Sequence, residues 1–266
     1  MTQIVGWPNW IGVVAEDLAR QRAFYGDVLG FPELDAGEDW VQFDLGWPVM
    51  LEVLQLDPGK PQYDGRRYQV GFATGDIDLS FELLSGRGIE AVTKVEGGGP
   101  GSDGAWVYLR DIEGNLFEIS QRLGAPRVGV PNTSPPLAGA PVWAGIISRD
   151  LEAMTRWVEE AFGFRPLARS EGWAWFDLGW PNLFEVIAHD VHQRQYAQPG
   201  WQVAFAVGDI AEAREKLIAR GAHALHETAG GPEYAGYWCH FLDAEDNVFA
   251  ITQRLGPPWP TDQKES

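Results

Sequence analysis

Residues 11–15 (IGVVA) form a short β-branched run, the pattern of a buried strand. Asp17 follows where a helix N-cap belongs. The next stretch, LARQRAFYGDVL, places Leu18, Phe24, Tyr25, Val28 and Leu29 on one helical face, and Gly30 stops it. Strands are predicted at 33–36, 40–45 and 49–54, the last two joined by the turn Gly46-Trp47-Pro48. The series then restarts. A strand is predicted at 68–73, a helix opened by Asp76 or Asp78 ends near Gly88, and strands follow at 91–95, 105–110 and 116–120. Each half reads βαβββ.

The same wording returns later in the chain. The hexamer FDLGWP stands at Phe43–Pro48 and again at Phe176–Pro181, an offset of 133 residues. That offset also pairs Trp10 with Trp143, Asp17 with Asp150, Glu52 with Glu185, Gln69 with Gln202, and Gly75-Asp76-Ile77 with Gly208-Asp209-Ile210. One deletion in a Gly-rich loop changes the offset to 132, which pairs Trp106 with Trp238 and QRLG at 121–124 with QRLG at 253–256. So ordered a series marks a duplicated domain. Domains are expected at 5–124 and 142–256, with a Pro-rich extended linker at 125–141 and a tail at 257–266.

Composition narrows the function. The 266 residues are 45% apolar and 22% charged, in the range of a globular protein with a core. With 38 acidic against 20 basic residues, the net charge of −18 disfavours nucleic acid and anionic membranes, which need Lys and Arg. It favours cations and cationic small molecules. The single Cys239 can form no internal disulfide and is expected as a small buried strand residue. No signal peptide is apparent, no run approaches the ~18 apolar residues of a membrane span, and cytoplasmic residence is expected. The sequon Asn132-Thr133-Ser134 has no meaning without export.

Asp17-Leu18 through Phe24-Tyr25-Gly26-Asp27-Val28-Leu29-Gly30-Phe31 and Asp111-Ile112-Glu113-Gly114-Asn115-Leu116-Phe117-Glu118 resemble the opening and closing motifs of the vicinal oxygen chelate superfamily. Its members include glyoxalase I, bleomycin-resistance proteins, fosfomycin-resistance enzymes and extradiol dioxygenases. The second copy carries weaker forms, ending in Asp243-Ala244-Glu245-Asp246-Asn247-Val248-Phe249-Ala250. The resemblance implies an α+β fold of two tandem domains, each made of two βαβββ modules curled into a half-open barrel. It also implies metal ligands at four strand positions per domain. Those positions hold Trp10, Glu52, Gln69 and Glu118 in the first copy, and Trp143, Glu185, Gln202 and Ala250 in the second.

This is a departure from the family's ligand set. An indole is only a donor, Ala250 removes a carboxylate, and all five histidines lie in the second copy. No cofactor is expected. A divalent metal, magnesium or manganese, would sit at the all-oxygen set Glu52/Gln69/Glu118 of the first domain. Whether modules pair within a copy or across copies, which would bring Glu185 to Gln69 and Glu118, is left open by the residues. Trp10, Trp106, Trp143 and Trp238 are candidates to line a ligand cup, by packing or by stacking. Glu118 is the candidate base. Tyr108 and His240, at matching strand positions, are candidates for ligand binding or proton transfer. His223 and His226 are expected on opposite faces of one strand, and His189 and His192 at the surface. The Gly-rich stretches at 97–104 and 230–236 are read as hairpin loops bordering the cup.

Two readings result. In the first, the chain binds a small aromatic or cationic molecule in a Trp-lined cup without a classical catalytic metal. In the second, it is a glyoxalase-like lyase or isomerase using Glu118 as base. The expected partner is a small molecule, with neither nucleic acid nor membrane, in a monomer or homodimer.

Overall fold

The computed structural model describes residues 3–256 apart from 64, 66, 132 and 133. The tail at 257–266, and Asn132 and Thr133 of the sequon, lie outside the described residues.

In the first repeat, β1 (Pro8–Ala15) leads into α1 (Leu18–Ala23), and β2 (Glu33–Ala36), β3 (Trp40–Asp44) and β4 (Met50–Gln55) complete a module. The second module holds β5 (Arg67–Ala73), α2 (Ile77–Gly86), β6 (Glu90–Ala91), β7 (Glu96–Gly97), β8 (Gly104–Arg110) and β9 (Leu116–Arg122). The second repeat copies this order. Its first module is β10 (Pro141–Ser148), α3 (Leu151–Phe162), β11 (Arg165–Arg169), β12 (Trp173–Asp177) and β13 (Leu183–Ala188). Its second is β14 (Gly200–Ala206), α4 (Ile210–Ala219), β15 (His223–Ala224), β16 (Ala229–Gly231), β17 (Gly236–Leu242) and β18 (Val248–Arg254).

Each repeat folds into its own sheet, ordered β2-β3-β4-β1-β5-β9-β8-β6 and β11-β12-β13-β10-β14-β18-β17-β15. β1 runs parallel to β4 and antiparallel to β5, so the two modules meet within one repeat. Pairing across copies is thereby excluded, and Glu185 shares a sheet with Trp143 and Gln202, not with Gln69 and Glu118.

Alternation along the strands divides each sheet into two faces. On β1, Ile11, Val13 and Ala15 enter a core common to both repeats, while Trp10 belongs to a separate cluster with Met50, Leu54 and Tyr108. On β17, Cys239 and Phe241 face the common core and His240 the opposite side. The predicted burial of Cys239 is observed.

Among the described residues the four α-helices begin at the expected aspartates. Asp17, Asp76, Asp150 and Asp209 each accept a backbone N–H from three residues on. The repeats also cap one another. The Glu113 carboxylate accepts the Arg149 and Asp150 amides and the Ser148 hydroxyl ahead of α3. Glu245 accepts the Glu16 and Asp17 amides ahead of α1.

Two expectations are corrected. The helix predicted after Asp17 is not continuous: α1 ends at Ala23 and Phe24–Val28 form a π-turn. Gly26, a poor helix residue, stands where the second repeat has Glu159, and there α3 runs unbroken over twelve residues. The strand predicted at 91–95 is not formed: only Ala91 is in a strand, as the end of β6, and β7 begins at Glu96. Thr93 Oγ1 accepts the Tyr108 N–H at 3.2 Å, so a side chain takes the place of a ladder carbonyl.

Candidate functional site

The cup faces carry the candidate catalytic and ligand-binding residues of each repeat. In the first cup, Gly12 is flanked by Glu52 on β4 and Gln69 on β5, and Gly71 pairs with Glu118 on β9. The Trp10 ring folds back over Gly12, where any Cβ would overlap it. Its Nε1–H donates to Glu52 Oε2 at 2.8 Å, and Gln42 Nε2 donates to Glu52 Oε1 at 2.9 Å. Gln69 Nε2 donates to the Gln62 carbonyl, and its buried Oε1 has no partner among the described residues. Tyr108 lies edge-on to Trp10 and 3.4 Å, oxygen to oxygen, from Tyr63, with Trp106 packed against this group.

Glu118 is buried under these rings. Burial pushes its pKa to about 8, against the pull of Arg122, and Glu52 adds to the rise. Burial likewise raises Glu52, opposed by its two hydrogen bonds. Tyr108 is raised well above its ordinary value by burial and by Glu118.

The second cup reuses the frame with different side chains. Trp143 folds over Gly145 and donates to Glu185 Oε2 at 2.7 Å. Trp175, in the place of Gln42, donates to Glu185 Oε1 at 2.8 Å and stacks on Trp173 with centroids 4.4 Å apart. Burial raises Glu185 to about 7, opposed by both indoles and by the nearby Arg254 charge. Gln202 Nε2 donates to the Gln195 carbonyl as Gln69 does to Gln62. His240 replaces Tyr108, and burial lowers its pKa to about 3, so it is neutral. Ala250 replaces Glu118 opposite Ala204. In the first cup the partner is Gly71, where a Cβ would strike the Glu118 carboxylate. The carboxylate and the glycine are therefore replaced together.

A cavity of about 150 Å³ remains in the second cup. Trp143, Trp173, Trp175, Trp238, Tyr196 and Tyr234 wall it, and Glu185, His240 and Arg254 reach it. Tyr234 comes from the Gly-rich stretch at 230–236, which so contributes to the cup wall. Gln42, Tyr63, Trp175, Tyr196 and Tyr234 were not among the residues singled out. Tyr63 and Tyr196 were legible in retrospect, because the same 133-residue offset pairs them.

His226 is corrected. It does not oppose His223 on a strand, because β15 ends at Ala224. Its Nε2 lies 2.7 Å from His240 Nδ1. It also accepts the His240 backbone N–H at 3.3 Å, as Thr93 does for Tyr108 in the first repeat. His192 is exposed as expected, whereas His189 is partly buried and meets the Ala197 carbonyl.

Replacing Gly145 by alanine is expected to drive the Trp143 ring off Glu185 and cost about 1–3 kcal/mol of stability. Urea unfolding of the variant measures this.

Two half-open sheets, each built of paired βαβββ modules, define a tandem vicinal-oxygen-chelate fold. The sequence model of the Glyoxalase/Bleomycin resistance protein/Dioxygenase superfamily matches residues 7–119. The match lies within the first repeat, which the second duplicates. Among curated proteins none matches this sequence.

Solved structures share the fold at low identity. The Mn(II)-bound glyoxalase of Novosphingobium aromaticivorans superposes with a TM-score of 0.76 at 14% identity, over 100% of this chain and 87% of that one. The 2,3-dioxygenase LapB of Pseudomonas sp. KL28 gives 0.71 at 15%, over 100% and 97%. A 4-hydroxymandelate synthase mutant from Streptomyces coelicolor gives 0.66 at 17%, over 96% and 94%.

In the second cup the donor set does not fit a divalent ion at the four strand positions, because Trp143 offers only an N–H group and Ala250 offers no donor. In the first cup Trp10 likewise offers only an N–H group, and the oxygens of Glu52, Gln69 and Glu118 are the donors such an ion would have there.

Proposed function

We propose that the chain binds a small, flat aromatic molecule in its second cup, without a metal. The observation that carries this is the 150 Å³ cavity walled by four tryptophans and two tyrosines. A dry apolar cavity of about that size holds one benzene-sized ring. Aromatic walls reward a ring further by stacked and edge-on contacts. Of the aromatic and cationic classes, the neutral aromatic one is favoured, because Arg254 offsets Glu185 within the cup.

The alternative, a lyase or isomerase with Glu118 as base, is less well supported. Near neutral pH a carboxyl with a pKa of about 8 is mostly protonated, so only a minor fraction is ready to act as base.

Calorimetric titration with phenol and toluene tests the binding reading. Both are expected to bind the purified protein, unaffected by EDTA, and Trp175→Ala is expected to weaken binding roughly tenfold or more. Absence of binding would overturn the reading. A stoichiometric metal in the purified protein whose removal abolishes phenol binding would overturn its metal-free part.

A further inference from the structure

His226 does not line the cavity, yet it fixes what His240 presents there. Its Nδ1 meets the Glu227 carbonyl, which can only accept, so Nδ1 carries the proton. Its Nε2 receives the His240 backbone N–H, which can only donate. Two independent partners thus make His226 Nε2 an acceptor. The bond of 2.7 Å to His240 Nδ1 must then be donated by His240. A neutral imidazole protonated at Nδ1 has a bare lone pair at Nε2. His240 lines the cavity and turns its Nδ1 edge toward His226, so Nε2 lies on the cavity side.

We propose that His226 is a positioning residue that holds His240 in the Nδ1–H tautomer, so that the second cup selects aromatic rings bearing an O–H or N–H donor. The inference rests on the reading of this cup as an aromatic site and adds the ligand's polar group. Each Glu185 oxygen already accepts an indole N–H, from Trp143 or Trp175, which weakens it as a further acceptor and leaves His240 the better one. In the first cup the equivalent strand position is Tyr108, whose neighbour Thr93 sets no tautomer. The preference therefore belongs to the second cup.

Phenol and toluene are nearly equal in size and differ in the donor. In His226→Leu the phenol-to-toluene affinity ratio is expected to fall about tenfold, the value of one buried hydrogen bond, with toluene binding retained. His226→Gln, which places an amide oxygen near the lost Nε2, is expected to restore the ratio. Long-range proton–nitrogen correlation spectra of the imidazoles are expected to show His240 protonated at Nδ1 in the wild type and in His226→Gln. They are expected to show it shifted toward Nε2–H in His226→Leu. The wild-type spectrum decides the tautomer whether or not His226→Leu folds. An Nε2–H tautomer in the wild type, or an unchanged ratio in His226→Leu, overturns the inference while the aromatic cup stands. Binding of neither probe overturns the cup and the inference together.

Discussion

Phe72→Ala is expected to lower the unfolding free energy by about 3–5 kcal/mol, in one transition and not two. Phe72 is fully buried on β5 of the first repeat, yet its ring neighbours lie mostly in the second. It sits 4.9 Å from Phe162, 6.0 Å from Phe164, 5.9 Å from Phe184 and 5.8 Å from Trp201, centroid to centroid. Its counterpart Phe205 reaches the other way, to Phe31 at 5.3 Å. One aromatic core is therefore shared, and removing a ring on one side of it leaves a void lined by both repeats. The reciprocal caps bind the units further, since Glu113 and Glu245 each close the helix start of the other repeat. Coincident denaturant transitions by circular dichroism and tryptophan emission check the expectation. Two separated transitions would mean that each repeat keeps its own core.

Duplication and strand alternation made most of this legible in the chain. FDLGWP and its companions set the repeat, and period-2 patterns such as Trp106 and Tyr108 against Val107 and Leu109 marked which residues share a face. What escaped depends on non-local pairing. The partnership of Glu118 with Gly71, and of Ala250 with Ala204, exists only once β9 lies beside β5 and β18 beside β14. The contact of His226 with His240 needed the strand break after Ala224, where a side chain substitutes for backbone in the ladder. Glu113 and Glu245 were visible as motif residues, but their work is done on helices some 35 residues downstream and 228 residues upstream, beyond any local pattern. The cup's chemistry was half visible: the carboxylates stood out, while the donors that occupy them, Gln42 and Trp175, did not.

Those buried carboxyls also predict that stability peaks on the acid side, near pH 4 to 5, and declines toward neutrality. Glu118 is raised from 4.5 to about 8, Glu185 from 4.5 to about 7 and Asp111 from 3.8 to about 6, each chiefly by burial. Between its unfolded and folded values each group holds more protons in the folded chain than in the unfolded one. Stability therefore falls as pH rises through that window, by about 1.4 kcal/mol per pH unit per group. His240 acts in the opposite direction. Burial lowers it from 6.5 to about 3, so its contribution is lost as pH falls through that range. Between about pH 4.5 and 6.5 the two glutamates outweigh the one histidine, and above 6.5 they act without it. The charge of −18 adds self-repulsion in the same direction. Glu118 alone accounts for a loss on the order of 2–3 kcal/mol between pH 5 and pH 7. In Glu118→Gln that share of the slope is expected to vanish, because an amide has no proton to lose while Arg122 and Glu52 stay in place beside it. Urea midpoints measured across pH for both proteins decide the matter. Parallel curves, or a wild-type maximum at neutral pH, would mean that Glu118 ionises in the folded cup as readily as in water.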